Sequence, residues 1–437
     1  MIQVLSWLIT IIFYRLEIIG EGIPAGPVLL VMNHPNALLD PAVLWAGTRR
    51  PIRFLAKSTL FTRSPLGLLV RYSGAIPVYR HRDEGVDVSK NIATFAAVHQ
   101  ALARGETVGI FPEGISHSRG HLEPLRTGAA RMALEALQEG IPLRLVPVGI
   151  NYERKTIFRS RVTLLFGAPF SGADLLEIFR ADPAQAVRLL TERITDRLRS
   201  LIVEVDPNFD AALVERVDQL YVAARDLTDT SRDRIERKKT IARGLERLRT
   251  HNPVLYELLW LKMRIYDRRL KRFGLNDRIL ENPVPVSVIL GFILREAGYG
   301  LFLWPLCLGG FLIWAVPYYA TDLCIRIIKP SPEMTATVKA LAGGVFHLFW
   351  FGLLVSWAAA LGGWRGAALS FIMAPLIGVL ALFAMERETE TAYTLKTFWA
   401  ARLARRETLV RFLKVRNELA ELLEEAHRWL QVAASSN

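Results

Sequence analysis

Three long apolar spans constrain this chain more than any other feature: Ala297 to Ala320, Ala340 to Gly363 and Gly366 to Met385. Each is long enough to cross the ~30 Å hydrocarbon layer of a bilayer as a helix. Trp304, Trp314, Tyr318, Tyr319, Trp350, Trp357 and Trp364 suit either interfacial positions or packing between helices. His347, inside the second span, reads as a packed or hydrogen-bonded side chain ahead of a working one. Pro305 and Pro317 are expected to break the first span and make it re-entrant, which leaves an even number of crossings. The tail agrees, because Arg387, Lys396, Arg402, Arg405, Arg406, Arg411 and Lys414 argue for the cytoplasmic side.

Ahead of these spans, residues 25–170 alternate short apolar strands with helical patterns. The strands expected are Leu29–Asn33, Arg53–Ala56, Ala75–Tyr79, Val108–Phe111, Leu145–Ile150 and Val162–Phe166, with helices such as Ser89–Arg104 and Gly128–Gln138 between them. This pattern predicts an α/β fold: a mixed sheet flanked by helices, followed by a helical connector and a C-terminal transmembrane helical region. The division expected is 1–20 as an interfacial membrane anchor, 21–205 as the α/β domain, 206–285 as connector, 286–385 as membrane region and 386–437 as an amphipathic tail helix. Met1 to Tyr14 is apolar without a basic leader or a cleavage site, and it runs into Arg15 and Glu17, so it suits lying in the interface. The connector reads equally as solvated, salt-bridged helices or as a basic platform for anionic headgroups.

The chain carries +13 at neutral pH, with 51% hydrophobic residues and a mean hydropathy of +0.24. A basic balance beside apolar spans suits an anionic membrane face or a phosphorylated substrate, and no aromatic-interleaved basic module argues for nucleic acid. Cys307 and Cys324 are the only cysteines and both lie in an apolar stretch, so neither a disulfide framework nor a cysteine metal site is expected.

Four segments carry candidate chemistry. In Asn33-His34-Pro35-Asn36-Ala37-Leu38-Leu39-Asp40 a histidine leaves a strand and a carboxylate enters a helix six residues on. Asp40 can then hold one ring nitrogen of His34 while the other faces a hydroxyl, which makes a general base; the same Asp-Pro pair is also what a helix cap looks like. In Gly74 to Arg80 a strand delivers Arg80, whose planar fork suits phosphate oxygens, and the polar run His81 to Glu84 follows. Gly109 to Ser118 runs into Pro112-Glu113-Gly114, where Gly114 permits a tight turn and Glu113 is placed to accept from polyol hydroxyls. Its Gly114 to Ser118 lacks the last glycine of a nucleophile elbow, and His117 with His121 lacks a third metal ligand, so neither a serine hydrolase nor a metal site is expected. Leu125 to Arg131 opens a helix whose N–H groups and Arg126 favour phosphate, or simply water. Leu145 to Tyr152 is a strand in which Pro147 suggests a sheet edge or bulge, with side chains that pack more than they react.

The ordered set NHPNALLDP, GAIPVYR, FPEGISHS and LVPVGINY resembles the glycerol-phosphate and lysophospholipid acyltransferase superfamily over roughly residues 25–170. The resemblance implies acyl transfer from acyl-CoA or acyl-carrier protein, as co-substrate and without a cofactor, to a glycerol-phosphate or lysolipid hydroxyl. It implies His34 as base, Asp40 as its orienter, Arg80 as phosphate ligand, and Glu113 with Gly114 as the polyol-binding turn; Arg126 and Lys57 are candidate helpers at the phosphate. Most members place four residues between histidine and aspartate, whereas this chain has five. With Asn-His-Pro, that gap looks most like the glycerol-3-phosphate and dihydroxyacetone-phosphate acyltransferase branch. Lysophosphatidic acid as acceptor is the alternative, and a non-catalytic lipid-binding membrane protein the rival of another class. The location expected is the membrane, multi-pass or re-entrant, with the catalytic domain on the cytoplasmic side.

Overall fold

The structure is a computed structural model that describes residues 2–80, 88–117, 119–205, 211–225, 230–275, 277, 286–331, 334–404 and 406–435. The run His81 to Glu84 lies outside the described residues. The chain forms two compact units, the first comprising Met1–Asn208, Asp229–Lys239 and Pro330–Ala340.

The first unit is built on strands β1 (Tyr14–Ile19), β2 (Val28–Met32), β3 (Ile52–Lys57), β4 (Ile76–Val78), β5 (Thr107–Ile110), β6 (Arg144–Tyr152) and β7 (Ser160–Phe166). They form one seven-stranded sheet in the order β1-β7-β6-β2-β5-β3-β4. Every pair is parallel except β6 with β7, so the sheet is mixed. The central strand Val28-Leu29-Leu30-Val31-Met32 is fully buried because both faces are covered, which is why it reads as an unbroken apolar run. Leu29 and Val31 face α4 (Asn91–Ala103), α5 (Gly128–Gln138) and α7 (Pro183–Arg199), among Val98, Leu102, Leu134, Leu190 and Ile194. Val28, Leu30 and Met32 face α2 (Leu39–Gly47), among Val43, Leu44, Phe54, Val148 and Leu164.

Two sequence expectations change here. Tyr14–Ile19 does not continue the apolar leader but pairs with β7 as the outer strand. Only α1 (Ile2–Phe13) remains helical, and it is amphipathic in an inverted sense. Val4, Trp7, Leu8, Ile11 and Ile12 point outward while Ser6 and Thr10 are buried. Pro147, expected at an edge or bulge, lies in an inner strand, paired with Val31 of β2, and the β6–β7 register shifts by one residue beside it, between Val148–Phe166 and Leu145–Phe170. It is accommodated because β7 stops at Phe166, the next backbone bond on that side is Gly167 N–H to Pro147 O (2.9 Å), and Phe170 then pairs with Leu145. The proline thus falls just past the end of the regular ladder with β7. Beside it, Gly149 meets the chain leaving α7 so closely that a Cβ would lie 2.2 Å from Leu201 O.

Beside β1 and within the same unit, Arg234 pairs with Glu17 at 2.8 Å and Lys239 donates to Ser200 O. Ala336 and Ala340 are buried in the β2–α2 core, and Lys339 donates to Thr156 O (3.3 Å).

The second unit holds α8 (Ala211–Arg225), most of α9 (Ser231–His251), α10 (Pro253–Phe273), α11 (Val286–Ile328), most of α12 (Thr335–Leu403) and α13 (Arg406–Ser435). The connector reading of solvated helices holds only in part, since α8 and α10 bury an ion network. Arg216 contacts Asp267 (2.5 Å) and Asp277 (2.6 Å), and Tyr266 donates to Asp277 (2.7 Å). Two stretches, Trp304–Ile328 and Thr335–Ala384, are long and apolar enough to cross a membrane, with mean hydropathies of 1.4 and 2.3. The second bends at Gly363 (φ 59°), the boundary expected between two spans. Contrary to expectation, Pro305 and Pro317 do not interrupt α11. At Pro317 the missing N–H leaves Ile313 C=O without its helical donor, and Trp350 Nε1 supplies one at 2.6 Å.

Candidate active site

The parallel strands β2, β5, β3, β4 and β6 all end on one edge of the sheet, so His34, Glu113, Lys57, Arg80 and Tyr152 gather there from remote positions in the chain. Asn33 fixes the end of β2. Its side chain accepts Ile150 N–H (2.7 Å) and donates to Ile150 O (3.1 Å), clamping the strand exit to β6. The following loop turns with Ala37 in the left-handed region (φ 40°) and Ala37 N–H on Ser116 Oγ (2.7 Å), which absorbs the five-residue gap.

That turn carries Asp40 back to His34. Asp40 Oδ2 accepts from His34 Nδ1 (2.8 Å) and from Asn36 N–H (2.8 Å). Asp40 is fully buried while the His34 side chain keeps 18% of its surface, so the carboxylate holds Nδ1–H and Nε2 is the ring atom left for a reactant. Asp40 caps nothing at the start of α2. The His34 ring stacks on Phe111 (centroids 4.0 Å, 17°), and Phe111 stacks on Phe54 (5.9 Å). The imidazole is therefore fixed by a carboxylate at one nitrogen and an aromatic plane on one face.

Glu113 faces inward. It is 3% exposed, and its oxygens accept His34 N–H (2.8 Å), Glu123 N–H (2.9 Å) and His117 Nε2 (2.5 Å). Its carboxylate joins the loop after β5 to the His34 backbone, and His117 N–H returns a bond to His34 O (3.2 Å). Gly114 takes φ 67°, which favours glycine. Its carbonyl accepts Arg80 Nη1 at 2.7 Å. Arg80 follows β4, three strands from β2, and its guanidinium reaches the turn that follows β5. Arg126 is exposed, with its stem beside Gly114: a Cβ there would be 3.6 Å from Arg126 Cγ. Lys57, half-buried, ends β3 in register with Val78. Among the described residues no three His, Cys, Asp or Glu side chains form a metal cluster.

Sequence reasoning missed the groups behind Asp40. Tyr152 donates to Asp40 Oδ1 (2.9 Å), Asn36 Nδ2 donates to Tyr14 Oη (3.0 Å), and Tyr14 donates to Lys155 O (2.6 Å). Burial pushes both phenols up, with the Asp40 charge adding to the effect, so they stay protonated as donors. A tyrosine closing an apolar strand beside an asparagine was the available signal.

A histidine braced by a buried carboxylate, at the strand-end edge of an α/β sheet, is an arrangement able to act as a general base. Residues 15–151 match the family model described as Acyltransferase. The chain is 31% identical over 198 residues to glycerol-3-phosphate O-acyltransferase 2 of Saccharomyces cerevisiae, covering 43% of this chain and 25% of that protein. An uncharacterised acyltransferase of Schizosaccharomyces pombe is 31% identical over 196 residues, covering 42% and 28%. A 1-acyl-sn-glycerol-3-phosphate acyltransferase of Borreliella burgdorferi is 22% identical over 183 residues, covering 42% and 70%. The chain thus spans only 25% and 28% of the two yeast relatives. A solved 1-acyl-sn-glycerophosphate acyltransferase from Thermotoga maritima superposes with a TM-score of 0.35 and 19% identity, covering 46% of this chain and 76% of that one.

Proposed function

We propose that this protein is a membrane-bound O-acyltransferase that moves a fatty acyl group from acyl-CoA or acyl-carrier protein to a hydroxyl of sn-glycerol 3-phosphate or dihydroxyacetone phosphate. The observation that carries the reading is the 2.8 Å pair of His34 and buried Asp40. His34 Nε2 takes the proton of the acceptor hydroxyl as that oxygen attacks the thioester carbonyl. The tetrahedral adduct collapses, the carbon–sulfur bond breaks, and the thiolate leaves, with the ester formed and the imidazolium free to return its proton. Asp40 stabilises that imidazolium. Arg80, tied to Gly114, supplies positive charge for the phosphate together with Arg126 and Lys57, and so positions the hydroxyl. Glu113 acts by holding the His34 backbone and the Gly114 turn together.

The two apolar stretches support membrane association, and the outward apolar face of α1 supports a helix lying in the interface. In this reading the chain is multi-pass, with the catalytic domain on the cytoplasmic side where acyl thioesters are found. Lysophosphatidic acid is the second acceptor reading, favoured by the 1-acyl-sn-glycerol-3-phosphate acyltransferase relatives. Purified protein in liposomes, given labelled acyl-CoA and each acceptor in turn, distinguishes them. His34→Ala is expected to abolish transfer while leaving the protein folded in the membrane. Near-normal turnover by that variant, or no thioester consumption with any acceptor, would refute the proposal.

A further inference from the structure

Strand β6 is longer than its neighbour. Its Val148 is in register with Met32, the last residue of β2, and the strand then continues four residues to Tyr152. The overhang carries the Tyr152 ring over the start of α2, where Asp40 lies. The ring packs edge-on against Tyr14 (5.2 Å), and its hydroxyl reaches Asp40 Oδ1 at 2.9 Å. The two carboxylate oxygens are thus divided: Oδ2 serves His34 and the Asn36 backbone, Oδ1 serves the phenol.

We infer that Tyr152 is a positioning residue for His34, setting the basicity of the imidazole through the Asp40 carboxylate that the two share. The inference rests on the general-base reading of His34. A carboxylate with no water around it divides its charge among the donors it holds. The more of that charge the phenol draws, the less remains to stabilise an imidazolium on the other oxygen. The hydroxyl also fixes the rotation of the carboxylate about its Cβ–Cγ bond, and so the direction in which Oδ2 meets Nδ1. Burial keeps the phenol protonated, so it remains a donor throughout the working pH range.

Tyr152→Phe removes one oxygen and keeps the ring against Tyr14. In the full-length protein its turnover is expected to fall about tenfold, because the carboxylate loses the bond that fixes its rotation and with it the alignment of His34, with the acceptor KM within about twofold of the parent. The acid limb of kcat/KM is expected to move to higher pH, because an Asp40 relieved of one donor holds the His34 proton more firmly. Histidine-selective NMR, with the His34 signal assigned by its loss in His34→Ala, should show the same upward displacement. That measurement needs no turnover and stays decisive if no acceptor is acylated. Replacing Tyr152 with 3,5-difluorotyrosine, a stronger donor of nearly the same shape, should displace the His34 titration to lower pH. A His34 titration unmoved by fluorination overturns the inference. So does a Tyr152→Phe turnover loss that is equally large in an Asp40→Asn background.

Discussion

Asp40→Asn tests the centre of the argument, because it changes charge while keeping shape. Asp40 is fully buried and accepts three hydrogen bonds, at 2.8, 2.8 and 2.9 Å. An asparagine can keep its oxygen toward His34 and Asn36 and turn its amide toward Tyr152, whose hydroxyl rotates to accept. The bonds survive in number and lose their charge assistance, roughly 1 kcal/mol each. Relief from burying an ion offsets part of that sum, which leaves a net loss of about 1–2 kcal/mol. For a domain of this size the Tm should drop by about 2–8 °C. The catalytic loss should be far larger, since the amide cannot stabilise an imidazolium: kcat is expected to fall about 10²–10³-fold, or ~3–4 kcal/mol of transition-state stabilisation. Thiol release from acyl-CoA gives the rate, and a thermal melt of the same sample gives the stability. A folded Asp40→Asn protein with kcat within about threefold of the parent would reduce Asp40 to a packing residue and remove the base from the mechanism.

Two further predictions concern the phenols and the leader helix. Tyr14 and Tyr152 both keep their protons in the folded state above the ordinary tyrosine value of about 10. Their share of stability is complete below that pH and is lost as the pH rises beyond it, because the unfolded chain releases protons the folded chain retains; the urea midpoint should be lower at pH 10.5 than at pH 8, and Tyr152→Phe should shrink the difference, whereas equal slopes would speak against the buried network. A nitroxide on Trp7→Cys or Ile11→Cys, in a chain freed of Cys307 and Cys324, should be relaxed more by oxygen than by a water-soluble nickel chelate in liposomes; the reverse order would place the outward face of α1 in water.

The strands around His34 were legible because burial on both faces leaves an unbroken apolar run, as in Val28–Met32. Strand β1 was hidden for the opposite reason. Arg15 and Glu17 sit on a half-covered outer strand, where Glu17 pairs with Arg161 and Arg234, and no glycine or proline separates Tyr14 from the helix before it. The prolines misled for a shared reason: a proline marks a missing donor, and whether that matters depends on what lies opposite. At Pro147 the regular ladder with β7 has ended one residue earlier, at Val148 and Phe166, and at Pro317 a tryptophan from α12 takes up the stranded carbonyl.

The site divides along the same line. His34 and Asp40 are near in sequence, so one loop brings them together and spacing alone suggests the pair. Glu113, just past a strand's exit, suggests a ligand-facing carboxylate in the sequence, yet the loop around it folds back and supplies it with Glu123 N–H and His117. Tyr152 depends on a register: one residue of slip between β6 and β2 would turn its ring to the opposite face of the sheet. Asn33 holds that register, since its amide closes both bonds with Ile150 at the exit of β2. The residue beside the proposed base therefore does two things for it. It delivers the histidine to the edge, and it locks the strand whose last side chain reaches the carboxylate behind that histidine.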